Sequence, residues 1–519
     1  MPAGLQKLQQ SPRDFARWQK TQQQLVSGRH AAALNAYREL VNRFPEVEQL
    51  WFELGIAATG ELDFEQGENA FARAEQLAPA DGALLVLIGQ QYHRLRRPER
   101  ARSCFERAVQ ADPSSVHARL SLAAWYERER RLDDAWASIE ACLAQHPQNQ
   151  QALCLKALLL HRKNRNSEAE VLLRDIIERD APDANVRVSS RHLLGLVLDQ
   201  LGAFPEAWRW LFESKKLLRQ TANVGKMEQD FDQADKQRRA VLSALTSETL
   251  QRWQTQALAP KLPGPLILLG GHPRSGTTLL EQILGAHPAI LAFDESEAFA
   301  QEIWHPLAPM GAPRTLSLQE LNHLPASQLT RMRERYLKSL LRETEGNPAG
   351  KVLLDKNPSP TAALHLGLRV LPELKTIITL RDPRDVVISC FFQSLMLTPT
   401  NANFLSLERT VKHYAAVMDV WLRLRELGGF SWIESRYEDL VKDPEAEGRR
   451  VTEFCQLSWH PNQTQHQETA RKKILFAPTF SDVAQPVHQR AVGRWQNYAE
   501  ALAPYQAQLA PYCAAFGYA

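Results

Sequence analysis

The residues Gly271-His272-Pro273-Arg274-Ser275-Gly276-Thr277-Thr278 have the composition of an anion-binding turn. Two glycines free the backbone, Arg274 supplies a cation, and two threonines open a stretch in which Leu279, Leu280, Ile283 and Leu284 recur with helical spacing. The first N–H groups of a helix have no internal partner, and with the helix dipole they favour negative charge in the preceding turn. Gly271 and Gly276 keep the spacing of G-x-x-x-x-G-K-[ST], but Thr277 stands where that motif has lysine. In ATP and GTP sites that lysine reaches the β- and γ-phosphates, and Mg²⁺ neutralises the remaining charge. A loop with Arg274 instead suits a donor with fewer charges at its reactive end, such as one phosphate carrying one sulfuryl group.

Three later segments offer groups to complete such a site. Asp294, Glu295, Ser296 and Glu297 follow an apolar run, and Glu295 lies 21 residues beyond Arg274. A carboxylate beside the anion loop could take the proton of an attacking hydroxyl; as a helix-start cluster, Asp294 and Glu297 would instead cap a helix from Ala298 onward. Lys356, in Asp355-Lys-Asn-Pro358, ends another apolar run. There it could stabilise charge developing on a leaving oxygen, or be a surface lysine at a turn. Arg381 ends a third run, with Ser389 eight residues on. An arginine at a strand end and a serine two helical turns later can converge on one phosphate, whereas Arg384 and Asp385 read as a helix-start ion pair. His272 and His287 flank the loop and rank below Glu295 as bases, because His272 precedes the turn and His287-Pro288 reads as a turn itself. There is no H-E-x-x-H, and His460 and His466 have no partner pattern, so no metal is expected.

The apolar runs that must position these groups are Leu266–Leu269, Ile290–Phe293, Val352–Leu354, Thr376–Leu380 and Phe430–Ile433, most of them separated by helical stretches. That alternation predicts a doubly wound α/β domain with a mostly parallel sheet, whose ligands sit beyond the carboxyl ends of its strands. The first half is different. Pro45, Pro79, Pro113 and Pro147 are 34 residues apart; eight residues before each stands Tyr37, Phe71, Phe105 or Ile139, and twelve before stands Ala33, Gly67, Ala101 or Ala135. This is the tetratricopeptide repeat (TPR) signature, an all-α solenoid of helix pairs. A less regular helix pair around Arg191–Gln200 and Phe204–Leu218 extends it. The expected organisation is a TPR array of five to six repeats over 1–220, a helical linker over 221–260 punctuated by Lys261-Leu-Pro-Gly-Pro265, and the α/β domain over 261–519.

With 62 Lys+Arg against 59 Asp+Glu, the charge argues against wholesale nucleic-acid binding. No run approaches the roughly 18 apolar residues of a membrane span. The six cysteines form no C-x-x-C pair, and a cytoplasmic setting without membrane attachment is expected.

The segment Pro273-Arg274-Ser275-Gly276-Thr277-Thr278, continued as LLEQIL and then AHP, resembles the 5′-phosphosulfate loop of the 3′-phosphoadenosine-5′-phosphosulfate (PAPS)-dependent sulfotransferases, and is most similar to the tyrosylprotein sulfotransferase branch and its bacterial relatives. The resemblance implies a PAPS co-substrate leaving as adenosine 3′,5′-bisphosphate, with no metal. It implies Glu295 as base in a GEET-like segment, Lys356 at the leaving oxygen, and Arg381 with Ser389 on the 3′-phosphate. Ser481 and Arg494 would lie in a C-terminal segment closing over the nucleotide. Gln393 stands where some relatives carry a basic residue, and Arg436-Tyr437-Glu438-Asp439-Leu440 resembles a family segment read as a structural junction. Protein tyrosine is the acceptor this branch suggests; carbohydrate or small-molecule hydroxyls are the alternative. The TPR array would recruit a peptide in its groove, form a homodimer, or serve as packing. A P-loop kinase and a nucleotide-binding TPR adaptor without turnover are the rival readings.

Overall fold

A computed structural model of the protein describes residues 3–61, 63–256, 258–312, 314–342, 344, 346–467 and 487–518. The chain divides into two compact units, 1–172 and 173–519.

The first unit is built of helix pairs whose boundaries repeat with the prolines. Helices begin at His30, Phe64, Pro98 and Leu132 and end at Arg43, Leu77, Ala111 and Gln145, two residues before each proline. Their partners Glu48–Gly60, Gly82–Arg94, Val116–Arg128 and Gln150–Arg162 follow at the same interval. Asp81, Ser115 and Asn149 cap three of these partners by accepting the N–H groups of Leu84, Ala118 and Ala152, which satisfies donors a helix start leaves open. The large residue eight before each proline is buried, as Tyr37, Phe71, Phe105 and Ile139. In two repeats a glycine faces it closely: a Cβ on Gly55 would stand 2.4 Å from Cε1 of Phe71, and one on Gly89 2.8 Å from Cε1 of Phe105.

In the second unit, five strands form a parallel sheet in the order β2-β3-β1-β4-β5: β1 Leu266–Gly271, β2 Ile290–Asp294, β3 Val352–Lys356, β4 Lys375–Leu380 and β5 Trp432–Arg436. The last begins two residues after the expected Phe430. Strand β1 is central, and the chain leaves it towards β2 and β3 on one side before returning to β4 on the other. This is a topological switch, where a crevice opens beyond the strand ends. All six residues of β1 and all five of β3 are buried, as strands covered on both faces must be.

The helices Ala184–Gln200 and Phe204–Arg219, together with Val224–Ala244 and Ser247–Gln254, fall within the unit that contains the sheet. Trp208 stacks on Phe391 with ring centroids 4.7 Å apart, which ties the 204–219 helix to the helix Pro383–Phe391 after β4.

Candidate active site

Strand β1 ends in a turn that only special backbone can make. Gly276, with φ +100°, precedes the helix Thr277–Gly285, which no side chain caps. Arg274, with φ +76°, is one of the few non-glycine residues with positive φ. A Cβ on Gly276 would lie 2.6 Å from Cδ2 of Tyr437. Gly276→Ala is therefore expected to cost about 2–4 kcal/mol from backbone strain and overpacking together, read as a lower denaturant midpoint.

Gly276, Thr277, Thr278 and Leu279 present this uncapped helix start to a cavity of about 370 Å³ that Arg274, Glu295, Arg381, Ser389 and Arg494 also line. Residues more than a hundred apart in sequence meet here. Arg274 Nε donates to Ser389 Oγ at 3.2 Å, and Arg381 Nη1 donates to the Arg274 carbonyl at 3.2 Å. Arg381 also donates to the Ala491 carbonyl, and its guanidinium lies 4.9 Å from the centre of the Tyr437 ring. Its Nε is buried without a hydrogen-bond partner among the described residues. A buried N–H left open is costly, and a phosphate oxygen would satisfy it.

Ser275 is placed differently from the cofactor-binding expectation. Its side chain is 1% exposed; Oγ donates to the His272 carbonyl at 2.7 Å and lies 2.6 Å from Thr379 Oγ1. Its hydroxyl holds the turn to β4 instead of facing the cavity.

Glu295 sits just past β2 with φ +52°, and its N–H donates to the Lys356 carbonyl at 2.6 Å. This left-handed residue turns its carboxylate into the cavity wall, a form of strain typical of functional sites. Lys356, the last residue of β3, is fully buried, with Nζ 2.6 Å from Asp294 Oδ1 and 3.3 Å from Glu295 Oε1. Burial alone would push its pKa down, but Asp294, Glu295 and Glu281 together raise it above the usual lysine value. The ammonium expected at a leaving oxygen is thus engaged by carboxylates behind the cavity wall. Asn357, the next residue, does line the cavity and donates to the Ser296 carbonyl at 2.8 Å.

The histidines are structural. His272 Nδ1 lies 2.9 Å from the Pro273 carbonyl, which can only accept, so Nε2 accepts from His413 Nδ1 at 2.9 Å. Burial pushes His272 down to about 4, opposed by the Pro273 bond, and His413 is pushed well down. His272 therefore stays neutral in the folded chain where the unfolded chain already takes up a proton. The contribution of this ring to stability is therefore unchanged above pH 6.5 and falls as pH drops from 6.5 to about 4, by up to about 3 kcal/mol. Urea midpoints on either side of that window should differ less in His272→Gln than in the parent. His287 closes its own turn, accepting from the Ala289 N–H at 3.0 Å.

Two readings of the 381–385 and 436–440 segments are corrected. Arg384 pairs with Asp382, the helix cap, at 2.7 Å, not with Asp385. Asp385 instead accepts the N–H groups of Gly493 and Trp495, each at 2.8 Å, and so pins the C-terminal segment to the helix that bears Ser389. Burial raises its pKa, against the pull of Arg381 and those two N–H groups. Tyr437, read as part of a structural junction, forms cavity wall beneath Arg381. Ser481 lies outside the described residues, as do Gln485 and Pro486. Gln393 lines the cavity, and its carbonyl accepts a bond from Lys215. Among the described residues no cluster of His, Cys, Asp and Glu could hold a metal ion, and no helix is long and apolar enough to cross a membrane.

Comparison with known proteins shows what the segment bearing this site is similar to. Residues 265–461 match the model of the sulfotransferase family, and residues 60–116, 86–139 and 126–185 match tetratricopeptide repeats. Residues 265–461 are thus similar to the sulfotransferase family, and the repeats before them to tetratricopeptide repeats. Among its relatives, protein-tyrosine sulfotransferase A of Caenorhabditis elegans is 26% identical over 238 residues, 44% of this chain and 61% of that protein. An uncharacterized protein of Aquifex aeolicus is 26% identical over 344 residues, 64% of this chain and 43% of that one. The chain therefore spans less than two thirds of the length of either. The sulfotransferase domain of the Synechococcus PCC 7002 olefin synthase aligns with a TM-score of 0.33 at 17% identity, covering 49% of this chain and 97% of that domain.

Proposed function

We propose that the protein is a PAPS-dependent sulfotransferase that moves a sulfuryl group to an acceptor hydroxyl, with protein tyrosine as the acceptor. One observation carries the reading: the arginine-bearing turn and the Arg381–Ser389 pair are hydrogen-bonded to each other across a single cavity whose wall also holds Glu295. The sulfotransferase-family match and the relatives named protein-tyrosine sulfotransferases support it.

PAPS fits the donor set. The uncapped N–H groups from Gly276 onward, Thr277, Thr278 and Arg274 receive the 5′-phosphosulfate; Arg381, with its open Nε, and Ser389 receive the 3′-phosphate, and Arg494 closes over the nucleotide. Glu295 takes the acceptor proton as the acceptor oxygen bonds to sulfur. The bond from sulfur to the bridging oxygen breaks, and that oxygen leaves with adenosine 3′,5′-bisphosphate. Arg274 balances the charge that develops on the leaving side. Lys356 holds Glu295 by its ion pair and lends positive charge from behind the wall. The TPR array presents the acceptor peptide or dimerises the enzyme. Incubation with ³⁵S-labelled PAPS and tyrosine-containing peptides should label peptide in an acid-labile, tyrosine-linked form. Label appearing only in carbohydrate or small molecules would overturn the acceptor, and no label in any acceptor would overturn the activity.

A further inference from the structure

Arg494 is fixed from three directions, and one of them comes from outside the sulfotransferase-family match. Asp385 holds the backbone on both sides of it through Gly493 and Trp495. The Phe392 ring lies beneath its guanidinium at 4.3 Å. Its far end is held by Asp199, whose Oδ2 accepts from Nη2 at 2.7 Å.

Asp199 is the penultimate residue of the helix Ala184–Gln200, well before the family-matched residues 265–461. Its side chain is only 9% exposed, and its second oxygen is also occupied, accepting from the Tyr498 hydroxyl at 2.5 Å. Both oxygens are thus committed to the segment that closes the cavity. On the guanidinium only Nη2 is taken: Nε and Nη1 have no protein partner among the described residues, while Arg494 lines the cavity. A guanidinium has five donors in a rigid fork, so a carboxylate on one arm orients the others without using them up. Trp208 on Phe391 and Lys215 on the Gln393 carbonyl brace the same helix pair against the helix of Ser389.

We infer that Asp199 is a positioning residue of the nucleotide site, holding Arg494 so that its free N–H groups meet a phosphate of the bound nucleotide. The 184–219 helix pair is then a working wall of the enzyme, and the family-matched segment alone is an incomplete site. The inference rests on the nucleotide reading above.

The test is a double-mutant cycle on the full chain, with adenosine 3′,5′-bisphosphate as ligand in calorimetry and PAPS in steady-state kinetics. Asp199→Asn should raise the dissociation constant and the KM for PAPS by about tenfold, equivalent to about 1.4 kcal/mol, with kcat little changed. Asp199→Glu should restore part of the affinity. In an Arg494→Met background, Asp199→Asn should have no further effect, because the group it positions is gone. Unchanged affinity in Asp199→Asn would overturn the inference, as would an equal loss in both backgrounds, which marks a general structural defect. Tighter binding would also overturn it, since Asp199 would then be competing with the ligand for Arg494. Failure of the parent protein itself to bind the bisphosphate would instead sink the nucleotide reading.

Discussion

Glu295→Gln is expected to lower kcat by about 10²–10⁴-fold, the usual contribution of a general base, while adenosine 3′,5′-bisphosphate binds at least as tightly as before. The substitution is nearly isosteric, and the new side-chain oxygen can still accept from Lys356 Nζ, which lies 3.3 Å from the present carboxylate. The positive φ of 52° and the bond from its N–H to the Lys356 carbonyl are backbone features that glutamine leaves in place. What disappears is proton affinity at the cavity wall, together with a negative charge that would face the sulfuryl group. A loss of rate with intact binding therefore separates an enzyme from a nucleotide-binding adaptor, which has no turnover to lose. Single-turnover rates with PAPS and calorimetry on the same sample supply the two readings. Parent-like turnover would remove Glu295 from the mechanism.

Arg381→Met is expected to weaken adenosine 3′,5′-bisphosphate by about 30–5000-fold, the range for truncating one partner of a buried charge pair, about 2–5 kcal/mol. AMP, which lacks the 3′-phosphate, should lose far less. The selectivity between the two nucleotides is the informative quantity, because Arg381 also braces the Arg274 and Ala491 carbonyls, and collapse of that brace would weaken both ligands together. Arg381→Lys keeps the charge but cannot reproduce the planar fork. Its affinity should lie between those of the parent and the methionine variant, and paired titrations of the three proteins with both nucleotides read the result.

Much of this architecture was legible because local pattern and long-range structure agree. The 34-residue proline interval places helix ends to the residue, since proline, a preceding large side chain and a small residue each act within one repeat. The glycine turn after β1 was equally plain, because its backbone demands are local. The pairings that join distant segments were not. Asp385 looks like the partner of Arg384 until the fold brings in the N–H groups of Gly493 and Trp495, more than a hundred residues away. Lys356 looks available until β2 and β3 pair and set Asp294 and Glu295 against it. Asp199 gives no local signal at all, since Arg494 lies 295 residues further on. Ser275 shows the opposite failure: its type and position suit a phosphate, but its buried hydroxyl is consumed by Thr379 and the His272 carbonyl.

The most direct test of the central claim is a calorimetric comparison of adenosine 3′,5′-bisphosphate with Mg²⁺·ATP. If the turn at Arg274 and the Arg381–Ser389 couple hold the two phosphates of one ribose, the bisphosphate binds stoichiometrically and ATP neither competes with it nor binds firmly. Firm binding of ATP with no recognition of the bisphosphate would contradict the claim and the reaction built on it.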